Sequence, residues 1–225
     1  MTATRHKRGG HFIDVFDPPT ALSAGGLLWL HDEVGTTLIP AGFATVCPQT
    51  GPTWWSSRIT PVFDSTVSVE AWLLKEVVPL FQERWGIERI ATAGIGMGGQ
   101  GALRLAFKQP ERMPIVAALD AALDHYERYD EGTPLDEMYS SREACRQDTA
   151  LLHIHPVRQP KHIWFACDVA SRWFRGNDRL HEKLTALGVE HRFIPYRADE
   201  RSDVENQMKE TLAEACKRDQ RSLLS

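Results

Sequence analysis

The sequence has little that would tie it to a membrane or to nucleic acid. No apolar run approaches the roughly 20 residues a bilayer crossing needs. There is no basic excess: 26 Lys and Arg stand against 30 Asp and Glu, a net charge of −4. Neither nucleic acid nor an anionic membrane is therefore expected as a partner. No C-x-x-C pair occurs, because Cys47, Cys145, Cys167 and Cys216 are widely spaced, so a zinc or dithiol redox motif is excluded. These read as reduced thiols, mostly in the core of a cytoplasmic protein. No apolar stretch follows the early basic residues, so no signal peptide is expected. The cluster Arg5-His6-Lys7-Arg8 reads as a solvated tail. Repeats and linkers are lacking too, and 225 residues suit one domain with a sizeable core.

Strand-like and helix-like segments alternate, which points to an α/β architecture. His11–Phe16 alternates as a strand does. Gly26–Leu30, Phe43–Cys47 and Pro114–Leu119 are continuous apolar runs of the kind buried strands carry. Arg89–Ala93, His162–Cys167 and Glu190–Tyr196 complete the strands. Helical spacing over Val69–Phe81 predicts a helix capped by Ser65 or Thr66 and bent by Pro79. Further helices are predicted over Gly101–Lys108, near Arg142–Leu151, from Asn177 as a cap to Leu187, and through Val204, Met208, Leu212 and Ala215. Residues 121–150 are polar and irregular. Seven tryptophans are present, and Trp54-Trp55 stand in a Gly/Pro/Ser-rich loop.

One serine is conspicuously lacking. Gly94-Ile95-Gly96-Met97-Gly98 follows a strand and opens a helix, the context of a G-x-S-x-G nucleophile elbow with glycine at the serine position. A phosphate-binding glycine loop is the alternative. It fits less well, because two or three strands precede the motif and no acidic residue closes the following strand in the dinucleotide-binding manner.

The run Gly94-Ile95-Gly96-Met97-Gly98-Gly99-Gln100-Gly101-Ala102 resembles the corresponding segment of the esterase D family of α/β-hydrolases, which includes S-formylglutathione hydrolases and feruloyl esterases. The resemblance runs from about Gly26 to the end. It implies a single α/β-hydrolase domain with a mainly parallel sheet and helices on both faces; the polar, irregular residues about 121–150 read as a cap-like insertion over the sheet's carboxyl edge. It also implies a triad in the order Ser, Asp, His. Here those positions carry Gly96, Asp168 and Arg201, with Ser202 keeping the next residue. An Asp at a strand end can orient a catalytic histidine or cap the following turn. Arginine stays protonated and cannot serve as a general base. His191, the nearest histidine, falls at the start of its strand. The oxyanion-hole positions are the amide of Met97 and residue 32, where His31-Asp32-Glu33 replaces the His-Gly of many relatives. Carboxylates there oppose an oxyanion unless they point away as a solvated loop.

His153-Ile154-His155 has metal-like spacing but no third placed ligand, so no metal site and no cofactor are expected. His31, Trp54 and Trp55 are pocket candidates; the two tryptophans either line the mouth at the sheet's carboxyl edge, or one packs under the cap with the other half exposed. The leading expectation is a catalytically inactive esterase-like protein that keeps a cleft for a small-molecule ligand or a partner surface. One alternative is an active ester hydrolase using Asp32, Glu200 or a metal. Another is a structural subunit that assembles with itself or with an active paralogue.

Overall fold

The computed structural model describes residues 3–19, 24–32 and 38–224. Eight strands form one sheet: β1 (Thr4–Arg8), β2 (His11–Phe16), β3 (Gly25–Leu30), β4 (Phe43–Pro48), β5 (Ile90–Ile95), β6 (Ile115–Leu119), β7 (His162–Asp168) and β8 (Arg192–Tyr196). Their spatial order is β1-β2-β4-β3-β5-β6-β7-β8. β2 runs antiparallel to both β1 and β4, and every other pair is parallel. β3, β4, β5 and β6 are buried at every position. That is why their sequences are apolar without alternation.

The helices are α1 (Val69–Trp72), α2 (Val78–Trp85), α3 (Met97–Lys108), α4 (Leu135–Met138), α5 (Arg142–Arg146), α6 (Phe174–Ala186) and α7 (Arg201–Leu224). One face of the sheet packs Leu28, Leu30, Val116 and Phe165 against α1 to α3 and α6. The other packs Leu27, Trp29, Ala93 and Trp164 against Val204, Met208, Leu212 and Ala215 of α7. Period-two alternation thus divides each strand between two cores.

Several local expectations are corrected. The basic cluster at residues 5–8 is not a tail but the edge strand β1. Gly9 and Gly10, both at positive φ, turn the chain back, and Arg5 pairs with Asp14 across the hairpin. Charge on an edge strand is what discourages further pairing. The cap of α1 is Ser68, whose Oγ accepts from Ala71 N, rather than Ser65 or Thr66. A π-type stretch, Leu73–Val77, separates α1 from α2. Pro79 follows it at the start of α2, where its missing amide is tolerated. α3 begins at Met97, four residues before Gly101. Asn177 lies inside α6 rather than at its cap, and its amide donates to the carbonyls of Ala121 and Trp173. Residues 121–150 hold only short helical pieces, α4, α5 and a 3₁₀ turn over His125–Arg128.

Candidate functional site

β5 ends in the core of the sheet and α3 begins two residues later, so the connection must turn sharply at Gly96. Its φ of 54° and ψ of −117° lie where side chains are rarely tolerated. The turn is fixed by backbone bonds: Gly96 N donates to Leu119 O at 3.0 Å, and Gly96 O accepts from Ala122 N at 2.9 Å. The flanking glycines are demanded by close approach. A Cβ on Gly94 would lie 2.6 Å from Leu30 O, and one on Gly98 would lie 2.6 Å from Leu30 C. The tight strand-to-helix turn read from the sequence is present in full.

The space above Gly96 is filled by this chain's own Asp32. A Cβ built on Gly96 would fall 2.6 Å from both Cγ and Oδ1 of Asp32, far inside any real contact. The amide of Met97, first in α3, donates to Asp32 Oδ1 at 2.9 Å. A carboxylate therefore occupies the donor at the amino end of α3, where the amides and the helix dipole favour negative charge. Glu33 lies outside the described residues.

His31 holds Asp32 from behind. Thr50 N donates to His31 Nε2 at 3.2 Å, so the ring proton sits on Nδ1, which donates to Asp32 O at 2.6 Å. Burial lowers the His31 pKa, which agrees with a neutral ring. Trp55 Nε1 donates to His31 O at 3.1 Å. Trp54 N approaches Met97 Sδ at 3.3 Å, and Gln100 Nε2 donates to Trp54 O at 3.2 Å. Both tryptophans are buried and left-handed, at φ of 54° and 52°. Of the two placements open to them, the mouth of a pocket is thus set aside, and neither residue is half exposed. They pack under the elbow, with Trp54 stacked on His125 and Trp55 against Gly101.

A second cluster lies at the ends of β6, β7 and β8. Asp120, the residue after β6, has φ of 47°. Its Oδ2 accepts from Arg201 Nη1 at 2.6 Å and from the Tyr196 hydroxyl at 2.7 Å. Its Oδ1 accepts from Asp168 N at 2.8 Å. Arg201 also donates to Glu205 at 2.7 Å. Burial and the neighbouring Asp120 push the Tyr196 hydroxyl pKa upward. Asp168 instead caps its own turn, its Oδ1 accepting from Ala170 N at 2.9 Å. The expected pairing of Arg201 with Asp168 is corrected: the carboxylate that faces residue 201 is Asp120. The expectation that no acidic residue closes the strand following the glycine turn is also corrected: Asp120 closes β6, just as Asp168 closes the next strand out.

The other candidates lie apart from the elbow. Glu200 accepts from Arg197 N at 2.8 Å, as part of a helix cap. His191 pairs with His181 at 2.8 Å, just before β8 begins. His153 reaches Asp148, and His155 accepts from Val157 N. Among the described residues no group of three His, Cys, Asp or Glu side chains is placed to hold a metal.

Comparison with solved structures bears on this geometry. An S-formylglutathione hydrolase from Agrobacterium tumefaciens superposes with a TM-score of 0.71 at 17% identity, covering 96% of this chain and 94% of that one. Fluorophosphonate-binding serine hydrolase F of Staphylococcus aureus gives 0.73 at 13% identity, over 94% and 97%. A ferulic acid esterase gives 0.71 at 12%, over 94% and 96%. The chain has the α/β-hydrolase fold. The Gly96 turn follows β5 of the eight-stranded sheet and opens α3. No protein-family model matches the sequence, and no curated protein matches it. No helix among the described residues is long and apolar enough to cross a membrane.

Proposed function

We propose that this chain is an esterase D-like α/β-hydrolase homologue that performs no ester hydrolysis. Its elbow is closed by its own carboxylate. The observation that carries the reading is Asp32, which stands in the volume a side chain on residue 96 would need and takes the Met97 amide. Acyl transfer needs a nucleophile at the elbow and free donors for the developing oxyanion. Glycine supplies no nucleophile. Asp32 places a negative charge on the donor that would otherwise serve the oxyanion. Arg201, at the triad histidine position, cannot accept a proton and is held by Asp120 and Glu205.

In this reading Gly96, Asp168 and Arg201 are vestigial triad positions in a single domain, with residues 121–150 as a cap-like insertion. What remains is a role in binding a ligand or a partner, including a second copy of the chain. The four cysteines are buried and unbridged, as a reducing cytoplasmic setting would keep them.

The test is turnover of short-chain p-nitrophenyl esters and labelling by a fluorophosphonate. We expect neither. A kcat in the ordinary range of about 1–10³ s⁻¹, lost on Asp32→Asn, would instead establish a hydrolase that uses Asp32 as its base.

A further inference from the structure

A cavity of about 240 Å³ opens at the far end of the sheet from the elbow, between the amino-terminal ends of β6 to β8 and the inner face of α7. Ile115, Trp164, Leu212 and Ala215 form the apolar part of its wall, and Lys161, Glu190, Arg192, Glu214 and Arg218 give it a charged rim. Two features of this wall point to a ligand. The Trp164 indole is 2% exposed, and its Nε1 donor has no acceptor. A buried donor left unpaired is costly to keep. Beside it, Arg192 is the registered partner of Trp164 on β8, so the two side chains leave the sheet on the same face. The hydrogen-bond partner of Arg192 is the neutral Gln207, at 3.2 Å.

The other cations of the rim are already matched: Lys161 reaches Asp219 at 3.3 Å and Arg218 reaches Glu214 at 3.5 Å. Glu190 is the remaining carboxylate of the lining. Its charge acts weakly on His162, two residues before Trp164 on β7, whose pKa is lowered chiefly by burial. The site therefore offers an apolar floor beside a buried N–H without an acceptor, and a guanidinium that meets no carboxylate among the described residues. Size limits the occupant. An apolar cavity of roughly 150 Å³ admits benzene, and drug-sized ligands take about 300–1,000 Å³. A volume of about 240 Å³ suits one ring with one polar substituent.

We propose that this cavity is a binding site for a small single-ring carboxylate, its carboxylate accepting from Trp164 Nε1 and pairing with Arg192 and its ring against Ile115 and Leu212. The site is independent of the reading of the elbow.

Benzoate is the probe. It is titrated into the full chain with ¹⁵N-labelled tryptophan, the Trp164 indole signal being assigned by its loss in Trp164→Phe. We expect that signal to shift saturably, with a Kd of about 1 mM or tighter. Arg192→Gln should weaken binding at least about tenfold, as should replacing benzoate by benzyl alcohol, since each removes the ion pair. Arg192 is exposed, so the substitution leaves the core intact. A Trp164 signal unmoved at about 10 mM benzoate, ten times that Kd, would overturn the proposal. So would equal affinity for benzyl alcohol, equal affinity in Arg192→Gln, or shifts confined to the Trp54 and Trp55 signals at the elbow.

Discussion

Gly96→Ala tests whether Asp32 truly shares the space of residue 96. The new methyl meets two obstacles. The first is the backbone: at φ of 54° and ψ of −117° a side chain is strained whatever the room, which costs about 1–3 kcal/mol. The second is Asp32. With Cγ and Oδ1 only 2.6 Å from the new Cβ, its carboxylate must leave. It then gives up the bond from Met97 N, a charge-assisted bond whose net contribution is about 1.5–3 kcal/mol. Together these give a loss of about 2.5–6 kcal/mol. Asp32→Ala alone gives up only the bond, because water can reach the amide once the carboxylate is gone. In the double variant the methyl enters vacated space, so only the backbone strain is added to the Asp32→Ala loss. The double variant should therefore be more stable than the sum of the singles by the energy of that one bond, about 1.5–3 kcal/mol, within the coupling expected of touching residues. Urea midpoints for the four proteins measure this directly, provided the slopes agree. Additivity within about 0.5 kcal/mol would mean that Asp32 does not stand over Gly96. The account of the filled elbow would then fail.

Arg201→Gln should cost about 1–2 kcal/mol, discounted from the buried-pair range because the side chain is 36% exposed. Asp168→Asn should stay within about 0.5 kcal/mol, since the amide oxygen can still cap the turn to Ala170. The reverse ranking in denaturant melts would restore Asp168 as the partner of residue 201. Arg104, fully buried on α3, holds both Glu70 and Asp148. Arg104→Met removes their shared cation, leaving Glu70 to Lys108 and Asp148 to Tyr139 and His153, and should lower stability by about 2–4 kcal/mol, below the range for a fully stranded buried charge; a loss under about 1 kcal/mol in calorimetry would contradict the network. His125 is buried beside Trp54, and burial lowers its pKa to about 4 from 6.5. Its contribution is full above pH 6.5 and drains away as pH falls toward 4, because the unfolded chain binds the proton first. Stability should drop by up to about 3 kcal/mol across that window, and His125→Phe should flatten the slope. An unchanged slope between pH 6.5 and 5 would show that this histidine takes no part.

What the sequence made legible, and what it did not, follows from how local each signal is. Doubly buried strands announce themselves as unbroken apolar runs, and β3, β4 and β6 were readable on that ground. β1 was not, because an edge strand carries charge, and Arg5-His6-Lys7-Arg8 looks like any solvated segment. The glycines of the elbow were readable because close backbone approach leaves no other choice at Gly94 and Gly98. The left-handed backbone of Trp54 and Trp55 had no local cue. Neither residue favours it, and it is held from outside by Met97, Gln100 and His31. Asp120 and Asp168 carry the same signal, a carboxylate closing a parallel strand. Only the path of the chain after β8 decides which of them meets Arg201. The orientation of Asp32 likewise depends on the neutral His31 behind it, a tertiary arrangement fixed by Thr50.

In the proposed reading, the departures at residues 32, 96 and 201 are physically linked rather than three separate losses. A serine at 96 and an aspartate folded inward at 32 exclude each other, because both need the same volume. Removing the side chain at 96 opens a polar hollow lined by the Met97 amide, and an empty hollow leaves a donor for water to satisfy. Asp32 fills it with a charge that suits the amino end of α3. Once a carboxylate holds that donor, an imidazole at 201 has no hydroxyl to activate and no oxyanion to serve. A permanent cation there instead balances Asp120, which Tyr196 and the Asp168 amide already grip. In that reading each replacement removes a catalytic property and satisfies a polar group that the loss of catalysis would otherwise leave exposed. Restoring the serine alone would therefore set it against Asp32 and leave it without a base. Activity would have to be rebuilt at 32, 96 and 201 together, with Asp120 as the carboxylate positioned to orient a histidine.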